Sequence, residues 1–190
     1  IGLPTESTTG TLYIQYYAEY IKALERKFVV KDDDDDKKEK KFLPLCIMVS
    51  NDTKQPTMRL LKDNKCFGLK RRQIYIVQQG DGVPALTDND AHFAMDEDGY
   101  KVLTKPHGHG DIHALLYKEG VTKEWQDKFG IEYMVLFQDT NGLAFHTLPL
   151  MLGVSAQHNF IMNSLCVPRK AKQAIGGIAK LTNAKNGKER

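Results

Sequence analysis

Apolar and polar positions follow two different patterns along the chain. One is the three-to-four-residue spacing of amphipathic helices, and the other is the short continuous apolar run of buried strands. Residues 12–27 carry apolar side chains every three to four positions, which predicts an amphipathic helix. Five short, almost wholly apolar runs then predict strands: 42–49, 74–77, 101–104, 132–137 and 159–167. Helix-like stretches lie between these runs, at 56–64, 112–120 and 145–153.

This alternation of apolar strands with helices predicts the fold class. Strands that are apolar throughout are covered on both faces, so we expect an α/β sandwich with a Rossmann-like, mixed but mainly parallel sheet between helices. Ligands of such sheets bind beyond the carboxyl ends of the strands. The segments expected at that edge are SNDT, QQG, HGHGD, QDTNG and PRKAKQAIGG. Their convergence would build a binding site from loops far apart in the chain.

Length and composition limit the domain organisation. With 190 residues, 41% hydrophobic and 27% charged, the chain can bury one sizeable core, so we expect one domain or part of one. The run at 29–41 balances five aspartates with five lysines and is predicted to be a disordered, charged surface insertion. Because the sequence begins at Ile1 without a methionine, we expect it to be a segment of something longer, with processing of the start as the alternative explanation.

Charge and cysteine content exclude several classes of protein. The net charge is only +3, and the basic residues concentrate from Arg169 onward, which argues against a general nucleic-acid surface. Cys46, Cys66 and Cys166 are widely spaced, two of them inside apolar runs, which indicates reduced core residues of a cytoplasmic protein. No apolar run approaches membrane-spanning length, and no signal-peptide pattern is present, so we expect no membrane partner.

The stretch HGHGDIH (107–113) concentrates residues that suit transition metals. A zinc metallo-hydrolase would use His107, His109, Asp111 and His113 as ligands. However, Asp111 stands where the N-cap of a helix is expected, and such a carboxylate is occupied by backbone N–H groups. His113 would then lie on the helix, turned away from the other two histidines. The metal site remains the alternative interpretation.

A nucleotide-binding turn is the preferred interpretation of the same stretch. Gly108 and Gly110 lack Cβ atoms, so a flat ring can approach the backbone closely between a strand end and a helix start. The exposed amides of such a turn can hydrogen-bond a base or a phosphate oxygen. Glycine-rich turns between strands and helices are nevertheless common.

Four motifs together carry a family resemblance. LPTESTTGT, KPHGHGDIHALLY, FQDTNGL and VPRKAKQAIGGI occur in this order and resemble the UDP-sugar pyrophosphorylases, nucleotidyltransferases with a GT-A-like fold. The resemblance covers the middle of their catalytic domain. Their glycine-rich triphosphate loop would precede Ile1, so we expect the rest of the parent chain to be needed for a complete site, and these residues alone to have negligible turnover.

The resemblance implies a reaction and its substrates. The family converts UTP and a sugar 1-phosphate reversibly into a UDP-sugar and pyrophosphate, with Mg²⁺ as cofactor. By resemblance, Gln79 would read the uracil edge, with Gln78 as the alternative because the register of the pair is ambiguous. Gly108 would contact the base through its backbone, and His109 would approach the phosphates.

The remaining implied roles lie in the two later motifs. Asp139 would bind Mg²⁺, although related uridylyltransferases favour the next position, where Thr140 stands. Asn141 would hydrogen-bond sugar or ribose hydroxyls. Lys170 or Lys172 would neutralise phosphate charge in catalysis. A second pair, Gly176 and Gly177, would let a sugar lie against the backbone.

Overall fold

The computed structural model describes residues 9–28, 42–80, 82–138, 141–173 and 182. The described helices and strands, in chain order, are α1 (Tyr13–Phe28), β1 (Leu45–Val49), α2 (Asn51–Asp63), β2 (Ile74–Gln78), β3 (Val83–Pro84), β4 (Thr104–Lys105), α3 (Asp111–Lys118), α4 (Val121–Phe129) and α5 (Ala144–His158). Two short 3₁₀ turns, Lys65–Gly68 and Arg71–Gln73, connect α2 to β2. The predicted mixed α/β class is confirmed.

A parallel strand pair forms the centre of the fold. β1 pairs in parallel with β2 from Leu45↔Ile74 to Val49↔Gln78, as the apolar runs predict. Between them, Ser50 begins α2 with a capping box: its hydroxyl accepts a hydrogen bond from Thr53 N, and Thr53 Oγ1 accepts one from Ser50 N. This cap ends β1 and turns the chain directly into the crossover helix.

The two faces of the strand pair are covered by different helices. On one face, Val77 packs in a buried cluster with Leu116, Val121 and Trp125 of α3 and α4. Burial there also raises the pKa of the Cys46 thiol to about 11. On the other face, Ile74 and Ile76 line a groove together with Met58 and Leu61 of α2. The predicted sandwich is therefore present around this pair.

A buried amide joins α1 to the start of the strands. Gln73 is only 1% exposed, and its Nε2 donates to Glu25 Oε1 and to Leu43 O, each at 2.9 Å. Its Oε1 accepts from Lys70 N at 2.9 Å. Leu43 N also donates to Glu25 Oε1, at 2.8 Å. This closed network fixes α1 against both strand entrances without leaving the Gln73 amide unpaired.

The predicted parallel strand at 101–104 is wrong. Residues 83–105 instead form an antiparallel β-ribbon, with β3 paired to β4 and isolated bridges at Leu86↔Phe93 and Met95↔Val102. Leu86, Phe93 and Leu103 are 45–56% exposed, so these apolar side chains are not buried in a core. The three short extended stretches of the ribbon hydrogen-bond to one another. This segment therefore does not have to pair with the parallel sheet to satisfy its backbone groups.

Two further predicted strands are not found. Residues 132–137 and 159–167 have no strand assignment, and much of their apolar surface is exposed, including Leu136 (46%) and Ile161 (105%). An extended segment becomes a strand only when a neighbour pairs with its backbone groups. Cys166 is exposed as well, so its predicted core position is wrong.

The chain divides into two compact units, residues 1–146 and 147–190. In the second unit, the described residues include the later part of α5, where Asn163 Nδ2 donates to Met151 O at 3.1 Å. The charged insertion predicted at 29–41 lies outside the described residues. In the part of the chain that the structure describes, no helix combines the length and apolar character needed to cross a bilayer.

Candidate functional site

Two adjacent glutamines leave the end of β2 on opposite faces. Side chains alternate along a strand, so Gln79 shares the face of Val77, and Gln78 the face of Ile76. Gln78 Oε1 accepts a hydrogen bond from Lys54 Nζ of α2 at 2.8 Å. Gln79 instead faces the glycine-rich loop, and its backbone N donates to Val49 O at 2.8 Å. Only the second glutamine is in contact with the predicted nucleotide-binding turn.

The Gln79 amide joins the strand to the glycine-rich loop. Its Nε2 donates to Gly108 O at 3.0 Å and to Asp111 Oδ2 at 3.3 Å. Gly108 has a φ of +138°, a backbone conformation that side chains strongly disfavour. At the base of the loop, a Cβ on Gly82 would collide with the Lys105 carbonyl. The motifs QQG and HGHGD therefore meet at the carboxyl edge of the sheet, as predicted.

Asp111 does not cap α3, contrary to the sequence-based prediction. The cap position belongs to Gly110, and Asp111 is the first helical residue, with a carboxylate free of the helix amides. That carboxylate bonds Gln79 and lies 3.3 Å from His107 Nδ1. The left-handed Gly120 (φ +69°) follows the helix end, as expected of a C-terminal glycine. Asp111 is thus free for a tertiary contact that capping would have prevented.

The four residues of the metal alternative do not assemble into a ligand group. Among the described residues, which include all four, no cluster of three or more His, Cys, Asp or Glu side chains has metal-binding geometry. His109 and His113 are exposed, and the contact between His107 and Asp111 is a pair on the surface. The structure gives no support to the metallo-hydrolase interpretation.

The segment around the predicted magnesium ligand is described only at its two sides. Asp139 and Thr140 lie outside the described residues. Asn141 N donates to Gln138 O at 3.0 Å, and Asn141 O accepts from Ala144 N at 3.1 Å. Asn141 is exposed, and these backbone bonds hold it in a turn that leads into α5.

The predicted phosphate-binding lysines belong to the second unit. Lys170 and Lys172 are exposed and lie in a turn in which Gln173 Oε1 accepts from Lys170 N at 2.8 Å. Lys172 has a left-handed φ of +66°. Gly176 and Gly177 lie outside the described residues. Of this motif, the structure therefore describes the turn that carries the two lysines but not the glycine pair.

Sequence reasoning missed two residues at the carboxyl edge. Lys54 reaches Gln78 from the first turns of α2, and its position four residues after the cap Ser50 could have indicated it. Asp111 is predicted from the sequence as a helix cap or, in the alternative, a metal ligand, but its spacing from Gly108 allows the Gln79 side chain to contact both Gly108 and Asp111. Lys54 brings a positive charge to the edge where ligands of such sheets bind.

Comparison with known proteins identifies related sequences. The model of the family described as UTP–glucose-1-phosphate uridylyltransferase matches residues 27–184. A UDP-sugar pyrophosphorylase of Arabidopsis thaliana is 46% identical over 184 residues, and one of Oryza sativa subsp. indica is 47% identical over 187. Each alignment covers 96% of this chain and 29% of the relative. The chain thus spans less than a third of the length of these relatives.

A solved structure supports the fold. A crystal structure from Entamoeba histolytica that bears the name UDP-N-acetylglucosamine pyrophosphorylase superposes with a TM-score of 0.52 at 20% sequence identity. The match covers 73% of this chain and 34% of the other. At this identity the likeness establishes the fold alone, which agrees with the mixed α/β arrangement around β1 and β2.

Proposed function

Because this chain belongs to the UTP–glucose-1-phosphate uridylyltransferase family, we propose that it is part of a uridylyltransferase acting on sugar 1-phosphates. The reaction converts UTP and the sugar 1-phosphate reversibly into a UDP-sugar and pyrophosphate. The similarity to UDP-sugar pyrophosphorylases supports acceptance of several sugars. Since this chain matches 29% of each of these relatives, the proposed activity needs counterparts of their other segments as well.

The hydrogen bond between Gln79 and Gly108 is the observation that carries the proposal. It places a side chain that can hydrogen-bond a base beside a glycine turn whose backbone leaves room for a planar ring. In this site Gln79 binds the uracil edge and Gly108 borders the base. A Cβ at Gly108 would meet nothing within 4 Å, so there is open space beside that backbone.

The chemistry requires positioning more than a protein nucleophile. An oxygen of the sugar phosphate attacks the α-phosphorus of UTP in line, and pyrophosphate leaves. His109, exposed in the turn, approaches the phosphates. Lys170 or Lys172 neutralises their charge, while Asn141 binds hydroxyls of the ribose or sugar, and Gly176 and Gly177 border the sugar.

Mg²⁺ would be held by Asp139. One carboxylate together with phosphate oxygens is a donor set that Mg²⁺ prefers in nucleotide sites. When bound, the ion neutralises charge on the phosphate oxygens. Thr140 is the alternative position, so Asp139→Asn is expected to weaken activation by Mg²⁺, whereas an unchanged Mg²⁺ dependence would point to Thr140.

Substitution of Gly108 tests the proposal in the protein at its natural length. Gly108→Val forces a β-branched residue to a φ of +138°, and strain of about 1–3 kcal/mol should distort the turn. We expect pyrophosphate release from UTP and a panel of sugar 1-phosphates to fall roughly tenfold or more, while the protein still folds.

Gly99→Val is the matched control. Gly99 also has a positive φ (+73°) and open space around its Cβ position, but it lies in a turn of the ribbon. This variant should keep its activity. Normal uridylyl transfer by Gly108→Val would contradict the assignment of the turn to the nucleotide.

A further inference from the structure

The Gln79 amide has only one orientation that its partners allow. Gly108 O and the Asp111 carboxylate lie 3.0 and 3.3 Å from the same amide atom, and a carbonyl and a carboxylate can only accept hydrogen bonds. The atom facing them must therefore be the NH₂ group. Exchanging the amide oxygen and nitrogen would put an acceptor against two acceptors.

This orientation decides what Gln79 can offer to a ligand. Both hydrogen bonds of the side chain use Nε2, and within the described ranges no donor from the protein reaches Oε1. The half-buried side chain therefore presents an acceptor. A pyrimidine whose N3 faces this oxygen must carry a hydrogen on N3. Uracil has one at N3, whereas N3 of cytosine is itself an acceptor.

We propose that Asp111 is a positioning residue that makes the site selective for uridine over cytidine nucleotides, by holding the Gln79 amide with Oε1 available to the base. The proposal rests on the proposed function, in which Gln79 binds the uracil edge. Without Asp111, only Gly108 O holds the NH₂ group. The amide can then rotate and offer a donor to N3 of cytosine.

The start of α3, His107 and Ile112 together keep the Asp111 carboxylate in place. It occupies the first turn of α3, where the helix dipole favours a negative charge. His107 Nδ1 lies 3.3 Å from the same Oδ2 atom that Gln79 contacts. Ile112, the next residue of α3, packs against the buried cluster around Val77 and Leu116. The carboxylate is thus attached to the core and is not carried by the loop alone.

The test compares UTP and CTP binding to the protein at its natural length, by calorimetric titration and by the KM of each nucleotide. Asp111→Ala should weaken UTP binding roughly tenfold, as expected for the loss of one hydrogen bond to a charged group. CTP binding should stay the same or improve. A purely structural loosening of the loop would weaken both nucleotides equally, and that result would overturn the proposal.

Asp111→Asn keeps the shape of the side chain and covers the case in which the alanine variant does not fold. Its amide can present either an acceptor or a donor to Gln79, so both orientations become accessible. The preference for UTP over CTP should fall by a smaller factor. An unchanged preference for UTP over CTP in a folded Asp111→Asn protein would overturn the proposal, whether or not Asp111→Ala folds.

Two further variants separate this proposal from the proposed function. Gln79→Ala should weaken UTP binding and make Asp111→Ala silent in the double variant; if Gln79→Ala leaves UTP binding unchanged, the uracil-binding role itself is wrong. If Gln79→Ala weakens UTP but Asp111→Ala leaves the ratio unchanged, only the role of Asp111 is wrong. Glu124→Ala is the control, because Glu124 is also a first-turn carboxylate, in α4, bonded to Lys128. It should leave the ratio of UTP to CTP unchanged.

Discussion

The parallel pair β1–β2 and the ribbon 83–105 both contain large apolar side chains, but these side chains differ in burial. Val77 of the pair is 4% exposed, whereas Phe93 of the ribbon is 56% exposed. The pair is covered by helices on both faces, since Ser50 starts α2 immediately after β1 and the turn at Gly108 starts α3. The ribbon closes through its own antiparallel bonds. The apolar side chains of the pair are thus buried beneath helices, whereas those of the ribbon stay exposed.

The largest difference is expected from truncating one leucine in each region. Leu116 is 1% exposed and Leu103 is 45% exposed. Leu116→Ala should lower the free energy of unfolding by about 2–5 kcal/mol, because it leaves a cavity in the cluster. Leu103→Ala should lower it by less than about 1 kcal/mol. Urea denaturation measures both, and similar losses would show that the ribbon is as tightly packed as the pair.

A smaller difference is expected from removing one polar side chain in each region. Gln73→Leu would leave Leu43 O and Lys70 N without their buried partner, at a cost of about 1–3 kcal/mol. Thr87→Val removes only an exposed bond to His92 O and should change stability by about 0.5 kcal/mol or less. The same denaturation experiment applies. A neutral Gln73→Leu would mean that the network around α1 contributes nothing to stability.

The smallest effect concerns a pair on the ribbon. His92 Nδ1 lies 2.6 Å from Asp88 Oδ2, and this hydrogen bond lowers the pKa of the Asp88 carboxyl below its usual value. A lowered pKa stabilises the fold above the unfolded value, and this contribution is lost as the pH falls through the folded pKa. His92→Ala should therefore raise the pKa of Asp88 in an NMR titration. No change in that titration would argue against the pair.

The sequence predicted the elements whose partners are close in the chain. The helix at 12–27 and the strands before Ser50 and Gln78 follow from local periodicity. QQG meets HGHGD as predicted, although the strand expected before HGHGD belongs to the antiparallel ribbon and not to the parallel sheet. The strand predictions for 101–104, 132–137 and 159–167 were wrong, because an apolar sequence does not determine which other segment will pair with its backbone. The cap assignment of Asp111 was wrong by one residue, since Gly110 takes that position.

The binding site could be predicted only in part for a similar reason. Gln79 and Gly108 follow from motifs, but the choice between Gln78 and Gln79 depends on which face each side chain takes. The contact from Lys54 to Gln78 depends on the placement of α2 over the sheet. Neither is encoded in a short motif, because each results from packing between elements.

The alternation at the end of β2 makes the site sensitive to chain length. Gln78 and Gln79 are chemically identical, yet one is attached to Lys54 and the other to the Gly108 turn. Shifting the pairing of β2 by a single position would exchange their tasks without altering the amino acid at either one. An insertion or deletion between Val49 and Gln79 can therefore break the contact between Gln79 and the Gly108 turn, on which the proposed base recognition depends, even when every residue of the candidate site is retained.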